Sequence, residues 1–305
     1  MGPLSSGFRG SPLHPEGFAD LWEHARLLSD PTRNEAMVQL LTRHAPGKRV
    51  LEVGCGTGLL SVVAAALGAR EVLAVEPTEQ AELARELVAH AGVSDRVEVV
   101  QAAIEELEPR PMDLVFSELL NADPFVEGLL EVSEAAAAWV AEGGHLAPHR
   151  LRLFAAAVRA EESHVEATAA LRQVRALEER CGVSLGPLVA AMEALEPYPS
   201  VHGSVTPAGP PVCVLDLALG GGDEPPELQA LRLPVWGDQP LAGATLWFEA
   251  QLDHDLLLHN RPGTGGHWGH LVHGWPARVP PRDGHVDVVL TMDDGEIDLR
   301  PAASS

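Results

Sequence analysis

Residues 50–58 read V-L-E-V-G-C-G-T-G. Val50, Leu51 and Val53 form the short apolar run of a buried parallel strand. Gly54, Gly56 and Gly58 follow, then L-L-S-V-V-A-A-A-L over 59–67, a small-residue helix. A strand, a glycine turn and a helix start together make a nucleotide cradle, because glycine permits tight backbone angles and close approach of a ligand. The spacing is G-x-G-x-G, not the dinucleotide G-x-G-x-x-G, and no Lys-Ser/Thr pair follows as a phosphate loop requires. Glu76 ends a second strand, Glu71 to Val75, 22 positions after Gly54. An acid at that tip can accept both ribose hydroxyls. Turn and acid together point to a nucleoside cofactor without a pyrophosphate. Alone, the glycine turn is equally the packing feature of any βαβ unit.

Two further acids, Glu118 and Glu127, stand nine positions apart after the strand-like P-M-D-L-V-F-S of 111–117. Carboxylates at the carboxyl end of a central strand sit where open α/β sheets bind ligands. On a helix or loop of an acidic chain they are ordinarily solvated. His267, His270 and His273, with His254 and His259 nearby, invite a metal reading. On a strand, positions i and i+3 point to opposite faces, and no Cys or acid spacing completes a zinc pattern. No metal is expected.

The elements that position these residues are legible from pattern. Residues 16–45 read as two helices broken at Asp30-Pro31, an N-cap followed by proline at the first helical position. A helix over 79–91, strands at Val97 to Val100 and Met112 to Ser117, and a helix over 129–142 follow. The next strand, beginning H-L-A-P-H-R-L, enters a second region whose later part is a series of strands from Val212 onward. The fold class is α/β, a doubly wound Rossmann-like domain followed by an antiparallel barrel or sandwich. Expected boundaries are a tail over 1–15, a cofactor domain over 16–147 and a β domain over 148–305 with a helical insertion near 163–200.

Composition excludes some partners. The chain has 21 basic and 44 acidic residues and a formal charge of −23, which argues against nucleic acid or an anionic membrane and suits a cationic substrate. Cys55, Cys181 and Cys213 are odd in number and widely spaced, so a reducing compartment without disulfides is expected. Neither a signal peptide nor an apolar span of 18 residues is evident, so a cytoplasmic location is expected.

V-L-E-V-G-C-G-T-G-L-L-S with the later A-V-E resembles motif I and post-I of the class I S-adenosylmethionine-dependent methyltransferases. The A-A-A-x-G-A-R-E-V-L-A-V-E continuation resembles the protein arginine methyltransferases. Four features join it: the pattern H-x-x-x-L-x-D-x-x-R of His24, Leu28, Asp30 and Arg33; the two glutamates nine apart; a G-G-x-L-x-P-x-R junction at 143–150; and His267-Trp268, similar to a T-H-W loop with Gly266 in place of Thr. The resemblance runs from residue 16 to about 295.

It implies S-adenosyl-L-methionine as cofactor, a β-barrel second domain, and a homodimer formed through the helical arm. It implies cofactor contacts from His24, from Arg33 to the methionine carboxylate, from Gly54, Gly56 and Gly58, from Glu76 to the ribose, and from Glu105 (with Glu106 as alternative) to the adenine. Glu118 and Glu127 would clamp the substrate guanidine, His267 would hydrogen-bond an acid beside it, and Trp268 would wall its pocket. Phe18 falls where the family often has tyrosine. The L-L-N-A-D-P-F between the acids departs from the usual W-M-G-Y and is closer to the monomethylating branch, where Asp123 would match a further acid.

The chemistry accounts for two acids. A guanidinium stays protonated below about pH 12 and is a poor nucleophile. Two carboxylates can grip its N–H groups in forked hydrogen bonds and draw charge away from the reacting nitrogen. The expected function is transfer of one methyl to arginine in a protein or peptide. Rivals are the same chemistry on free arginine or a small guanidine-bearing product, and a non-catalytic scaffold of the same fold.

Overall fold

The computed structural model describes residues 21–159, 165–193, 200–293 and 296–302. The expected tail, Phe18 and the side chain of His24 lie outside the described residues. Helix α1 covers Leu21–Leu28 and α2 covers Pro31–His44. The break is at Asp30, whose Oδ1 accepts from the backbone N–H groups of Thr32 (3.0 Å) and Arg33 (3.2 Å). This satisfies two donors that the first turn leaves orphaned. Arg33, Ala36, Met37, Leu40 and Leu41 recur at helical spacing and form the buried face of α2.

Five parallel strands follow: β1 (Arg49–Val53), β2 (Glu71–Val75), β3 (Val97–Val100), β4 (Met112–Ser117) and β5 (Val140–Ala147). Their order is β3-β2-β1-β4-β5. The direction of winding reverses between β1 and β4, where an open sheet leaves a crevice at its carboxyl edge. Side chains alternate between two buried faces. Val50, Val72, Ala74, Leu114 and Phe116 pack with α2, α3 (Leu59–Ala66) and α4 (Gln80–His90). Leu51, Val53, Leu73, Val75 and Val115 pack with Ile104 and with Ala136 of α5 (Leu129–Ala137). Burial on both faces is why these strands read as apolar runs rather than alternating ones.

Two boundaries differ from those expected. The helix expected over 129–142 ends at Ala137, and Glu142-Gly143-Gly144 lies inside β5. Gly143 has φ +71°, the β4–β5 register shifts between Met112 and Leu114, and a Cβ on Gly144 would stand 2.9 Å from the Ala141 carbonyl oxygen. The glycine pair makes a bulge in a strand, not a helix terminus. The stretch expected to be one strand is divided at Pro148: β5 closes the parallel sheet and β6 (Arg150–Arg159) opens the second domain.

That domain has two antiparallel sheets. The larger runs β7 (Ser200–His202), β12 (His270–Val279), β10 (Leu241–Asp253), β6 and β8 (Val212–Ala218), with β11 (Leu256–His259) paired to β10. The smaller runs β14 (Glu296–Pro301), β13 (His285–Asp293) and β9 (Leu228–Pro234). β14 lies against β12 and β10, and β9 against β6 and β8, so a barrel closes around one core by packing. Helices Val165–Cys181 and Gly186–Glu193 occupy the expected insertion. No helix among the described residues is long and apolar enough to cross a membrane.

The last turn of α2 is tied to the barrel. Arg43 and His44 both reach Asp253 at 3.0 Å, Arg43 also pairs with Asp255, and the His44 ring stacks on His145 with centroids 4.3 Å apart. In the barrel core, Trp275 is fully buried and its indole N–H donates to Leu299 O at 3.0 Å, pinning β12 to β14. Trp275→Ala removes that volume and orphans the carbonyl. It is expected to cost about 3–5 kcal/mol and to lower the urea midpoint in equilibrium unfolding.

Candidate active site

A cavity of about 430 Å³ opens at the carboxyl edge of β1, β2 and β4, beneath α1 and the loop that carries His267 and Trp268. The glycine turn forms its floor. Gly54 and Gly58 have φ of +73° and +77°. A Cβ on Gly54 would lie 2.7 Å from Leu119 Cδ2, and one on Gly58 would lie 2.9 Å from Ala84 Cβ. Both positions therefore exclude side chains on steric as well as conformational grounds. Glu76 is buried at the tip of β2. Its Oε2 accepts from Gly56 N at 2.8 Å, and its Oε1 accepts from Thr78 N (2.9 Å) and Oγ1 (2.6 Å). The carboxylate locks the turn against the second strand and remains at the cavity wall.

At the end of β4, the buried Glu118 carboxylate pairs with the Arg33 guanidinium, whose Nε donates to Oε2 at 2.5 Å while Nη2 reaches the same oxygen. Burial pushes the Glu118 carboxyl upward against the pull of Arg33. The indole N–H of Trp268 also acts on this carboxylate, though outside hydrogen-bond geometry, so Glu118 Oε1 and Trp268 Nε1 lack a formed hydrogen bond. Glu127 borders the same cavity. Enclosure by protein and then the neighbouring Glu118 push its carboxyl up to about 8, and Asn121 Nδ2, donating at 3.3 Å, holds it down.

The barrel supplies the remaining wall. His267 precedes β12 in a loop rather than lying on the strand read from sequence. Its backbone N–H and its Nδ1 both reach Asp30 Oδ2 at 3.0 Å. Asp30 thus caps α2 with one oxygen and anchors the barrel loop with the other. Burial lowers the His267 pKa against the pull of Asp30, which leaves the ring neutral near pH 7. The Trp268 ring lies 4.3 Å from the His267 ring and packs edge-on against Phe248.

Of the expected residues, Arg33, Gly54, Gly56, Glu76, Glu118, Glu127, His267 and Trp268 line this one cavity, and Gly58 closes its turn. Two do not. Asp123 is buried away from it, with Oδ1 accepting from Phe125 N at 3.1 Å and Oδ2 from Ile297 N at 3.4 Å, which ties the loop between the glutamates to β14. Its place in the substrate pocket is corrected accordingly. Glu105 is exposed in a short 3-10 turn and does not line the cavity, and Glu106 turns back onto Ala103 N at 2.9 Å.

Other residues were not foreseen as part of the site. Glu52 is buried in β1, bonded to Ser61 Oγ, and burial pushes its carboxyl up to about 8. An acid inside the apolar run V-L-E-V was the available signal. Asn121 and Arg26 also line the cavity, and Arg26 Nη2 donates to His267 O at 3.2 Å.

Comparison with known proteins bears on the fold. A model of the ribosomal protein L11 methyltransferase (PrmA) family matches residues 30–148, which is the parallel-sheet domain. A probable protein arginine N-methyltransferase 6.1 of Oryza sativa subsp. indica is 32% identical over 157 residues, 50% of this chain and 41% of that relative. Protein arginine N-methyltransferase PRMT10 of Oryza sativa subsp. japonica is 34% identical over 149 residues, 47% of this chain and 39% of that relative. The chain spans less than half the length of these curated relatives. In three dimensions the likeness covers both domains. The Arabidopsis thaliana protein arginine methyltransferase 10 structure, described as uniquely open, covers 95% of this chain and 96% of its own at TM-score 0.75 and 20% identity. The chain has the fold of solved protein arginine methyltransferases. A Trypanosoma brucei PRMT1 enzyme–prozyme heterotetrameric complex with AdoHcy has the same fold, at TM-score 0.76, 19% identity and 93% coverage of both chains.

The two roles of Asp30 separate by substitution. Asn is also a good cap, so Asp30→Asn retains the start of α2 and loses only the charged tether to His267. Asp30→Ala loses both, and a lost cap costs about 1 kcal/mol. Urea unfolding is expected to show the larger drop for the alanine variant.

Proposed function

We propose that the chain transfers a methyl group to the guanidine of arginine in a protein or peptide, with S-adenosyl-L-methionine as donor. When bound, S-adenosyl-L-methionine supplies an electrophilic sulfonium methyl and leaves as the thioether. The observation that carries the reading is the pair Glu118 and Glu127 beside one cavity whose floor is the glycine turn with Glu76. The turn and Glu76 fit a nucleoside, since close backbone approach and a ribose-accepting acid are both present. Arg33, already paired with Glu118, has the forked geometry to meet a carboxylate such as that of a methionine moiety.

Glu118 Oε1 is buried without a formed hydrogen bond and so has acceptor capacity for a ligand donor. Glu127 supplies the second grip. A guanidinium between them loses its water and gains two charge-assisted partners, which fixes its plane and localises charge away from the nitrogen that receives the methyl. Positioning of this kind can contribute about 7–11 kcal/mol to a bimolecular transfer. As the N–C bond forms and the S–C bond breaks, that nitrogen sheds one proton. With Nδ1–H committed to Asp30, the neutral His267 ring offers Nε2 as an acceptor. The loop L-L-N-A-D-P-F supports monomethylation through its likeness to the monomethylating branch, although Asp123 itself faces away from the cavity. Exposed Leu177, Val183 and Leu188 on the helical insertion support its use as a homodimer arm.

The test is mass spectrometry with labelled S-adenosylmethionine and three acceptors: an arginine-rich protein, short arginine peptides and free L-arginine. One added methyl on protein or peptide is the expected result. Two added methyls would overturn monomethylation, and product on free arginine alone would overturn the protein substrate. Glu127→Gln is expected to lower kcat/KM by at least about 100-fold, since breaking a desolvated charge pair costs roughly 3–5 kcal/mol. The grip needs an ionised Glu127, and its carboxyl is raised to about 8. kcat/KM should therefore rise with pH through that region and be lost below it.

A further inference from the structure

Asn121 stands between the two glutamates, where the W-M-G-Y loop carries a glycine. It is buried, 6% exposed, and lines the cavity. Its amide orientation is set locally: the Ala122 backbone N–H donates to Oδ1 at 2.7 Å. The NH2 end is therefore the one that meets Glu127, with Nδ2 donating to Oε1 at 3.3 Å. A reversed amide would lose the Ala122 hydrogen bond and set oxygen against carboxylate oxygen. Glycine offers no such donor.

We propose that Asn121 is a positioning residue that favours the ionised form of the Glu127 carboxylate and holds it in place for the substrate guanidinium. The inference rests on the arginine-methylation reading and adds a residue to it. The charged groups acting on Glu127 are Glu118, which opposes its ionisation, and Arg33, which favours it but is committed to Glu118. A neutral donor suits the remaining need. Lysine or arginine at 121 would form an ion pair with Glu127 and exclude the incoming guanidinium. An amide stabilises the anion and leaves its full charge for the substrate. One oxygen is held by Asn121, and Glu127 lines the cavity.

The experiment follows Glu127 directly. The side-chain carboxyl carbons of glutamate-labelled protein are titrated by NMR, and the Glu127 signal is identified by its loss in Glu127→Gln. In Asn121→Ala the Glu127 midpoint is expected to rise by about one pH unit, as for loss of one charge-assisted hydrogen bond. In Asn121→Asp, of equal size but carrying a carboxylate, it is expected to rise further. An unchanged midpoint in both variants would overturn the proposal. The second arm is the pH profile of kcat/KM on an arginine peptide. The acid limb of Asn121→Ala should move up by the same amount, with activity about tenfold lower near pH 7 and converging on the parent above pH 9. An equal loss at every pH would mean a structural role only and would also overturn it. A parent that methylates no arginine acceptor would overturn the reaction assigned above, and the NMR arm would still decide what Asn121 does to Glu127.

Discussion

An imbalance of buried charge governs this site. Glu52, Glu118 and Glu127 converge on one cavity, with Arg33 as the buried cation among its lining residues. Carboxylates withdrawn from water are costly unless paired, and they respond by holding protons. Two of the three are raised to about 8. A planar, permanently charged, hydrogen-bond-rich cation such as a guanidinium could relieve that imbalance without a proton. The surrounding structure can be read as what is needed to keep such a group of acids together. β4 ends where Glu118 must stand, the cap on α2 aims Arg33 at it, and the glycine turn leaves the space beside it open.

Helix α2 is also the bracket between the domains. At its N-terminus Asp30 holds His267, and at its C-terminus Arg43 and His44 hold Asp253. Fourteen residues separate the two ties, or about 21 Å of helix. A rod fixed at both ends to the barrel cannot rotate about its axis without breaking one of them. The direction in which Arg33 projects is thereby set by contacts at two distant points of the other domain.

Much of this was legible in the sequence. Apolar runs flanked by glycine and acid marked the parallel strands, because strands buried on both faces need no polar alternation. Asp30-Pro31 marked the helix break, because cap chemistry is local. Motif spacing singled out Arg33, Glu76, Glu118, Glu127, His267 and Trp268, which line one cavity. What escaped was non-local. Gly143-Gly144 read as a helix end because a glycine pair suits either a C-cap or a bulge, and only pairing with β4 decides between them. Asp123 read as a pocket acid because its partner, the backbone of Ile297, lies 174 positions away. Asp30 was visible as a cap, but nothing in its neighbourhood announced a second oxygen reserved for His267. Gly266 looked like a simple departure from threonine. Its φ of +140° and the 3.3 Å from a would-be Cβ to Asp30 Oδ2 show that the contact with Asp30 leaves little room for a side chain.

The tether between Asp30 and His267 spans 237 positions of the chain. At roughly 5–20 residues per second of synthesis, the two partners emerge on the order of 10–50 s apart. During that interval the parallel sheet and its glycine turn can be complete while the wall bearing His267 and Trp268 does not yet exist. A nascent chain would then present Glu118 and Glu127 without the wall that His267 and Trp268 later provide. The chemical character of the site is thus acquired late in the life of the polypeptide, when the last strands close over residues made long before.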